Sequence, residues 1–148
     1  MKFWGFGLVL ALSCATADMR SPITVHILDT TAGVPAAGIP VVLEQERGGS
    51  WVNVSSVVTD VGGRADMMKL EEFTPSVDNP NCCFKETIEY GVYRLQYQTA
   101  DYIKSSTGKT SFFPYLSIPF QVQQSEANQY FHIPVLLNPA GFTGYRGS

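Results

Sequence analysis

From Ile23 onward, apolar and polar residues alternate in short runs divided by turn residues, the period-two pattern of half-buried strands. Ile23-Thr24-Val25-His26-Ile27-Leu28 is rich in β-branched residues, and Asp29, Gly33 and Pro35 then break it with turn chemistry. The same pattern predicts strands at residues 39–46, 51–58, 64–70, 92–98, 115–123 and 129–137, with Gly48-Gly49 and Gly62-Gly63 among the separators. Seven short strands with Gly and Pro between them predict an all-β sandwich. One short helix is expected at residues 83–89, where Lys85, Glu86 and Glu89 are good surface formers, although a helix of that length depends on tertiary packing. Residues 73–81, with Pro75 and Pro80, read as loop, and no internal repeat or low-complexity tract is present.

Alternation also sorts the side chains of the first and last strands. Ile23, Val25 and Ile27 share one face, and Thr24, His26 and Leu28 share the other. Phe131, Ile133, Val135 and Leu137 form an uninterrupted apolar face, and Tyr130, His132, Pro134 and Leu136 point oppositely. Both histidines of the chain therefore lie off the sandwich core, on a face that also carries Leu28 and Leu136. A half-apolar outer face exceeds what solvation needs, so a partner subunit or a ligand is expected to cover it.

Composition narrows the class. A chain of 148 residues with 45% hydrophobic and 16% charged residues has material for one core and too little charge for a disordered tail. Ten Lys+Arg against 13 Asp+Glu leave a net charge of -3 with no basic cluster, which argues against nucleic acid as a partner. No apolar run reaches the roughly 20 residues that span a bilayer. Lys2, the apolar stretch 3–12 and Ala15-Thr16-Ala17 have the make-up of a secretory signal over residues 1–17, which leaves 18–148 as the mature domain, secreted or periplasmic. Removing that segment removes Cys14 and leaves the adjacent pair Cys82-Cys83, too closely spaced for ordinary disulfide geometry, so the fold has to stand without staples. A strained vicinal bridge, an intermolecular bond and two free thiols all stay open for that pair. Asn53-Val54-Ser55 fits the N-glycosylation pattern.

Taken singly, each polar feature has an ordinary reading: a histidine on an outer face is usually a surface residue, Arg64 after Gly62-Gly63 could follow a turn into solvent, and Tyr145–Ser148 could be a frayed end. Taken together, the residues resemble a known family. The segments Thr24-Val25-His26-Ile27-Leu28-Asp29 and Phe131-His132-Ile133-Pro134-Val135-Leu136-Leu137 and the terminal Tyr145-Arg146-Gly147-Ser148 are similar to the 5-hydroxyisourate hydrolases of the transthyretin-like family. Gly33-Val34-Pro35-Ala36, Thr59-Asp60, Gly91-Val92-Tyr93-Arg94 and Phe112-Phe113-Pro114 add landmarks in the same order. The C-terminal tetrapeptide is the most specific of these. Transthyretin itself carries Lys and Thr where this chain has His26 and His132, and continues into a longer last strand.

The resemblance implies a prealbumin-like β-sandwich of about seven to eight short strands with one short helix, assembled as a homotetramer with sites in a channel between dimers. It implies His26, Arg64 and His132 as catalytic residues and Tyr145, Arg146 and Ser148 as substrate-binding residues that close the pocket, with no metal or organic cofactor. The implied reaction hydrolyses 5-hydroxyisourate to 2-oxo-4-hydroxy-4-carboxy-5-ureidoimidazoline in urate degradation. The alternative is a secreted small-ligand carrier or protein-binding module on the same fold. Imidazoles titrating near 6.5 suit water activation at neutral pH, and a permanently charged guanidinium suits a developing oxyanion. Which imidazole is the base is left open. Two departures stand out: the family usually has Asp-Gly-Arg where this chain reads Gly62-Gly63-Arg64, which removes an expected turn carboxylate, and residues 73–89 form a longer connection than the family's.

Overall fold

Strands with one apolar face have to bury that face against another sheet, and the computed structural model, which describes residues 21–68, 88–127 and 129–148, has two such sheets sharing one core. In the first, β1 (Ile23–Asp29) lies in the middle. One of its edges pairs antiparallel with β5 (Arg64–Asp66) and, farther along, with β2 (Val34–Pro35). Its other edge pairs in parallel with β8 (Phe131–Asn138), which in turn pairs with β9 (Gly141–Gly144). The second sheet is antiparallel throughout, in the order β4 (Ser50–Val58), β3 (Pro40–Arg47), β6 (Gly91–Tyr97), β7 (Leu116–Val122).

The core is what the alternation predicts. Ile23, Val25 and Ile27 of β1 and Val135 and Leu137 of β8 are buried against Val41 and Leu43 of β3 and Tyr93, Leu95 and Tyr97 of β6. All seven expected strands are present within a few residues of their expected ends, except that the fourth, expected over 64–70, is the three-residue β5. Among the described residues β2 and β9 are additional, and both are short.

The helix among the described residues is one the sequence reading did not name. Residues 83–87 of the expected helix lie outside the described residues, as do the signal segment 1–17, the loop 73–81 and Cys82-Cys83. The described helix is α1 (Ala100–Thr107), between β6 and β7. Its formers are poor, with Ser, Ser and Thr in the last turn, and the packing of fully buried Ile103 holds it to the core. Gly108 ends it at a φ of 71°, in the left-handed region. Tyr102 ties it to β1 by donating its O–H to Asp29 Oδ2 at 3.1 Å. Asn53 is exposed on β4.

Candidate functional site

The pairing of β1 with β5 and β8 assembles four polar side chains on one outer face. Directly paired residues project to the same side of a sheet. His26 is opposite Arg64 on β5 and Pro134 on β8, and Thr24 is opposite His132. The two imidazoles come to 6.4 Å between ring centroids, tilted by 35°. Both are partly buried and Arg64 is exposed. Three residues named from separate parts of the sequence, His26, Arg64 and His132, are thus brought together.

Arg64 owes its position to the turn before it. Asp60 Oδ1 accepts the backbone N–H groups of Gly62 at 2.8 Å and Arg64 at 2.9 Å, while the Asp60 backbone pairs with Gly63 and Arg64. The carboxylate expected to be missing at position 62 is therefore supplied from position 60, which corrects the sequence reading. Gly63 has to be glycine: its φ is +70°, and a Cβ there would sit 2.4 Å from the Ile27 carbonyl oxygen. Among the described residues no ion pair engages Arg64, whereas Arg47, Arg94 and Arg146 each have a carboxylate partner.

The C-terminus is not frayed. Beyond β9 the chain keeps running antiparallel along β8, with Tyr145 N–H donating to the Pro134 carbonyl at 3.2 Å and Gly147 N–H to the His132 carbonyl at 2.8 Å. This register turns Tyr145 and Gly147 toward the histidine face and Arg146 away from it. Arg146 is held by Glu126 at 3.0 Å and Gln129 at 2.8 Å, with its guanidinium 5.2 Å from the centre of the Phe131 ring. Of the expected substrate-binding residues, Tyr145 is on the histidine side, Arg146 braces the far side, and Ser148 is exposed one residue beyond the Gly147–His132 bridge. Gly147 is a close-approach glycine, since a Cβ would come within 2.7 Å of His132 Cδ2.

Two residues on this face carry contacts that alternation alone did not assign. Thr24 Oγ1 lies 2.9 Å from His132 Nδ1 and also hydrogen-bonds the Tyr130 hydroxyl. The Tyr130 ring runs parallel to the imidazole, at 8° with centroids 6.3 Å apart. The available signal was the spacing: Thr24 is two residues before His26 and Tyr130 two before His132, so both share the histidine face.

Burial and the Arg64 charge both favour the neutral form of the two imidazoles. Burial, then the Arg64 charge, holds His26 below its ordinary 6.5, against smaller opposing pulls from a hydrogen bond to the Gly62 carbonyl and from Asp60. Burial, then Arg64 and His26, holds His132 below the same value. The arrangement offers two proton acceptors and one fixed cation on a single face. A cleft of about 230 Å³ beside His132, lined by Phe120, Phe131, Tyr145 and Arg146 among others, opens between β7 and the C-terminal segment, and neither His26 nor Arg64 lines it. Among the described residues no cluster of His, Cys, Asp or Glu side chains is arranged to hold a metal ion.

Residues 23–147 match the model of the HIUase/Transthyretin family. The chain belongs to this family. The uric acid degradation bifunctional protein TTL of Arabidopsis thaliana is 38% identical over 95% of this chain, which spans only 41% of that protein's length. The 5-hydroxyisourate hydrolase of Salmonella dublin is 33% identical, with 95% of this chain and 91% of that one covered. Among solved structures, the 5-hydroxyisourate hydrolase of Klebsiella pneumoniae superposes with a TM-score of 0.62 at 28% identity, covering 85% of this chain and 98% of that one. The HIUase/transthyretin sandwich is thus the fold expected from the sequence, and the family match reaches the Gly147 that touches His132.

Proposed function

We infer that this protein is an enzyme that hydrolyses 5-hydroxyisourate in urate degradation. The observation that carries the reading is the single face on which two imidazoles meet an Arg without a carboxylate partner among the described residues, with the Tyr145–Ser148 segment laid against one imidazole. The relatives named as 5-hydroxyisourate hydrolases over nearly their full lengths support it. In the reaction, a water held between His26 and His132 gives a proton to an imidazole as its oxygen bonds to a ring carbonyl carbon. Arg64 stabilises the oxyanion that forms. The ring C–N bond then breaks, and the imidazolium returns its proton to the departing nitrogen. Tyr145 and the terminal Ser148 bind the substrate ring, and Arg146 holds the segment that presents them.

The reading extends to assembly and location. The histidine face is open in one chain and carries Leu28 and Leu136, so a homotetramer that covers it is the expected working form, and residues 1–17 direct export to a secreted or periplasmic location. The carrier alternative is less supported, because a carrier gains nothing from two histidines and an arginine that has no carboxylate partner among the described residues on one face.

The test is the ultraviolet decay of freshly generated 5-hydroxyisourate with and without residues 18–148, with His132→Ala as control for contaminating activity. A fast decay abolished by the substitution is expected, and a rate equal to the spontaneous one would favour the carrier. Light scattering on the same protein should report about four chains.

A further inference from the structure

Thr24 has one hydroxyl hydrogen and two polar neighbours, His132 Nδ1 at 2.9 Å and the Tyr130 hydroxyl. Its residue exposure is 8%, so its hydrogen bonds are settled between these two. Two orders are open to the chain of three groups. Either Tyr130 donates to Thr24 and Thr24 to Nδ1, which puts the imidazole proton on Nε2, or Nδ1–H donates to Thr24 and Thr24 to Tyr130, which leaves Nε2 bare. Only the second order also accommodates the imidazolium, in which both ring nitrogens are donors. A histidine that gains and loses a proton in each turnover would have to reverse both hydroxyls under the first order and neither under the second. Tyr130 is 39% exposed, so its own O–H reaches water while its oxygen accepts from Thr24.

We propose that Thr24 and Tyr130 are positioning residues that clamp His132 with its proton on Nδ1, so that Nε2 is the atom that takes the proton from water and returns it to the departing nitrogen. The proposal rests on the hydrolase reading for its catalytic half, although the clamp itself is a property of the free protein. The Nδ1–H bond stays intact throughout. At Nε2 one proton arrives as the water oxygen bonds to carbon, and the same proton leaves as the ring C–N bond breaks. The parallel Tyr130 ring keeps its hydroxyl beside Thr24, and Gly147 lets the imidazole lie close to the backbone, since its missing Cβ leaves room for His132 Cδ2.

The test uses the ¹⁵N spectrum of the imidazoles in residues 18–148 above pH 6.5. The chain has two histidines, so His26→Ala assigns the signals. The wild type should show the His132 proton on Nδ1. Thr24→Val, which keeps the shape and removes the hydroxyl, should bring in the Nε2–H form and lower kcat at least about tenfold with KM little changed. Thr24→Ser should retain both properties. Tyr130→Phe, which keeps the ring, should move both in the same direction as Thr24→Val but less far, and it carries the test if Thr24→Val does not fold. A wild-type His132 protonated on Nε2, or variants whose tautomer and kcat are unchanged, would overturn the proposal. If the wild type fails to hydrolyse 5-hydroxyisourate yet Thr24→Val switches the tautomer, the clamp stands and the hydrolase reading falls.

Discussion

The two sheets of the sandwich each present an outer face with an arginine on it, and the two arginines are treated oppositely. On the second sheet Arg94 is paired with Glu44, whose carboxyl is held below its ordinary range by that bond, and it also covers Trp51, its guanidinium 4.2 Å from the ring centre. The positive charge of Arg94 is thus taken up by a carboxylate and an aromatic ring on its own face. On the first sheet the corresponding cation, Arg64, has two imidazoles for neighbours and among the described residues no carboxylate partner. A cation without a carboxylate partner among the described residues, beside groups able to accept protons, is an arrangement that stability alone does not favour, and it is the face on which the proposed reaction is placed.

The comparison can be broken most severely at the histidines. His132→Ala and His26→Ala should each lower kcat by about 10²–10⁴-fold, with the melting temperature and the state of assembly little changed; near-wild-type turnover in either would take that residue out of the mechanism. Arg64→Gln should cost about 10²–10³-fold in kcat/KM. It should also move the acid limb of the pH profile upward, because the Arg64 charge depresses both histidines. In the wild type that limb belongs below 6.5: the imidazoles stay neutral until the pH falls through their lowered values, and activity is lost as they protonate. The same shifts make the folded state bind protons more weakly than the unfolded one, so the stability they carry is present above 6.5 and declines as the pH falls through the folded-state values. Gly147→Ala should reduce kcat on the order of tenfold, read beside a thermal melt that moves far less. On the opposite face, Arg94→Ala should leave turnover unchanged and cost about 1 kcal/mol or less in chemical denaturation.

Much of the site was legible because it rests on local rules. Period-two alternation sorted Thr24, His26, Tyr130 and His132 onto one outer face before any partner was known, and Tyr93, Leu95 and Tyr97 into the core. What was not legible is mostly pairing between distant strands. Nothing in residues 23–29 says that they lie parallel to residues 131–137, and without that register Thr24 has no visible connection with His132. The side on which Arg146 emerges depends on the Gly147–His132 bridge, again a distant contact. β9 escaped notice because Gly141 and Gly144 weaken its strand pattern, and pairing with β8 holds it in place. α1 has one fully buried residue and weak formers, so its packing decides what its propensity does not; Asp101, Lys104 and Gly108 were the cues available. The turn at Asp60 shows a different difficulty, since the carboxylate that the family places at 62 is provided here from 60.

The parallel seam between β1 and β8 has a consequence for how the protein comes into being. Its partners are 108 residues apart along the chain, as Thr24 and His132 are, and the terminal segment docks only on the strand that this seam positions. Parallel pairing over such a separation closes a long loop before it gains anything, so it belongs to the slow, late part of folding. A chain whose C-terminal strands have not yet docked can therefore hold the second sheet while it has no assembled histidine face at all. Turnover becomes a reporter of the last step of folding, and recovery of activity after dilution from denaturant should trail the recovery of β-sheet signal.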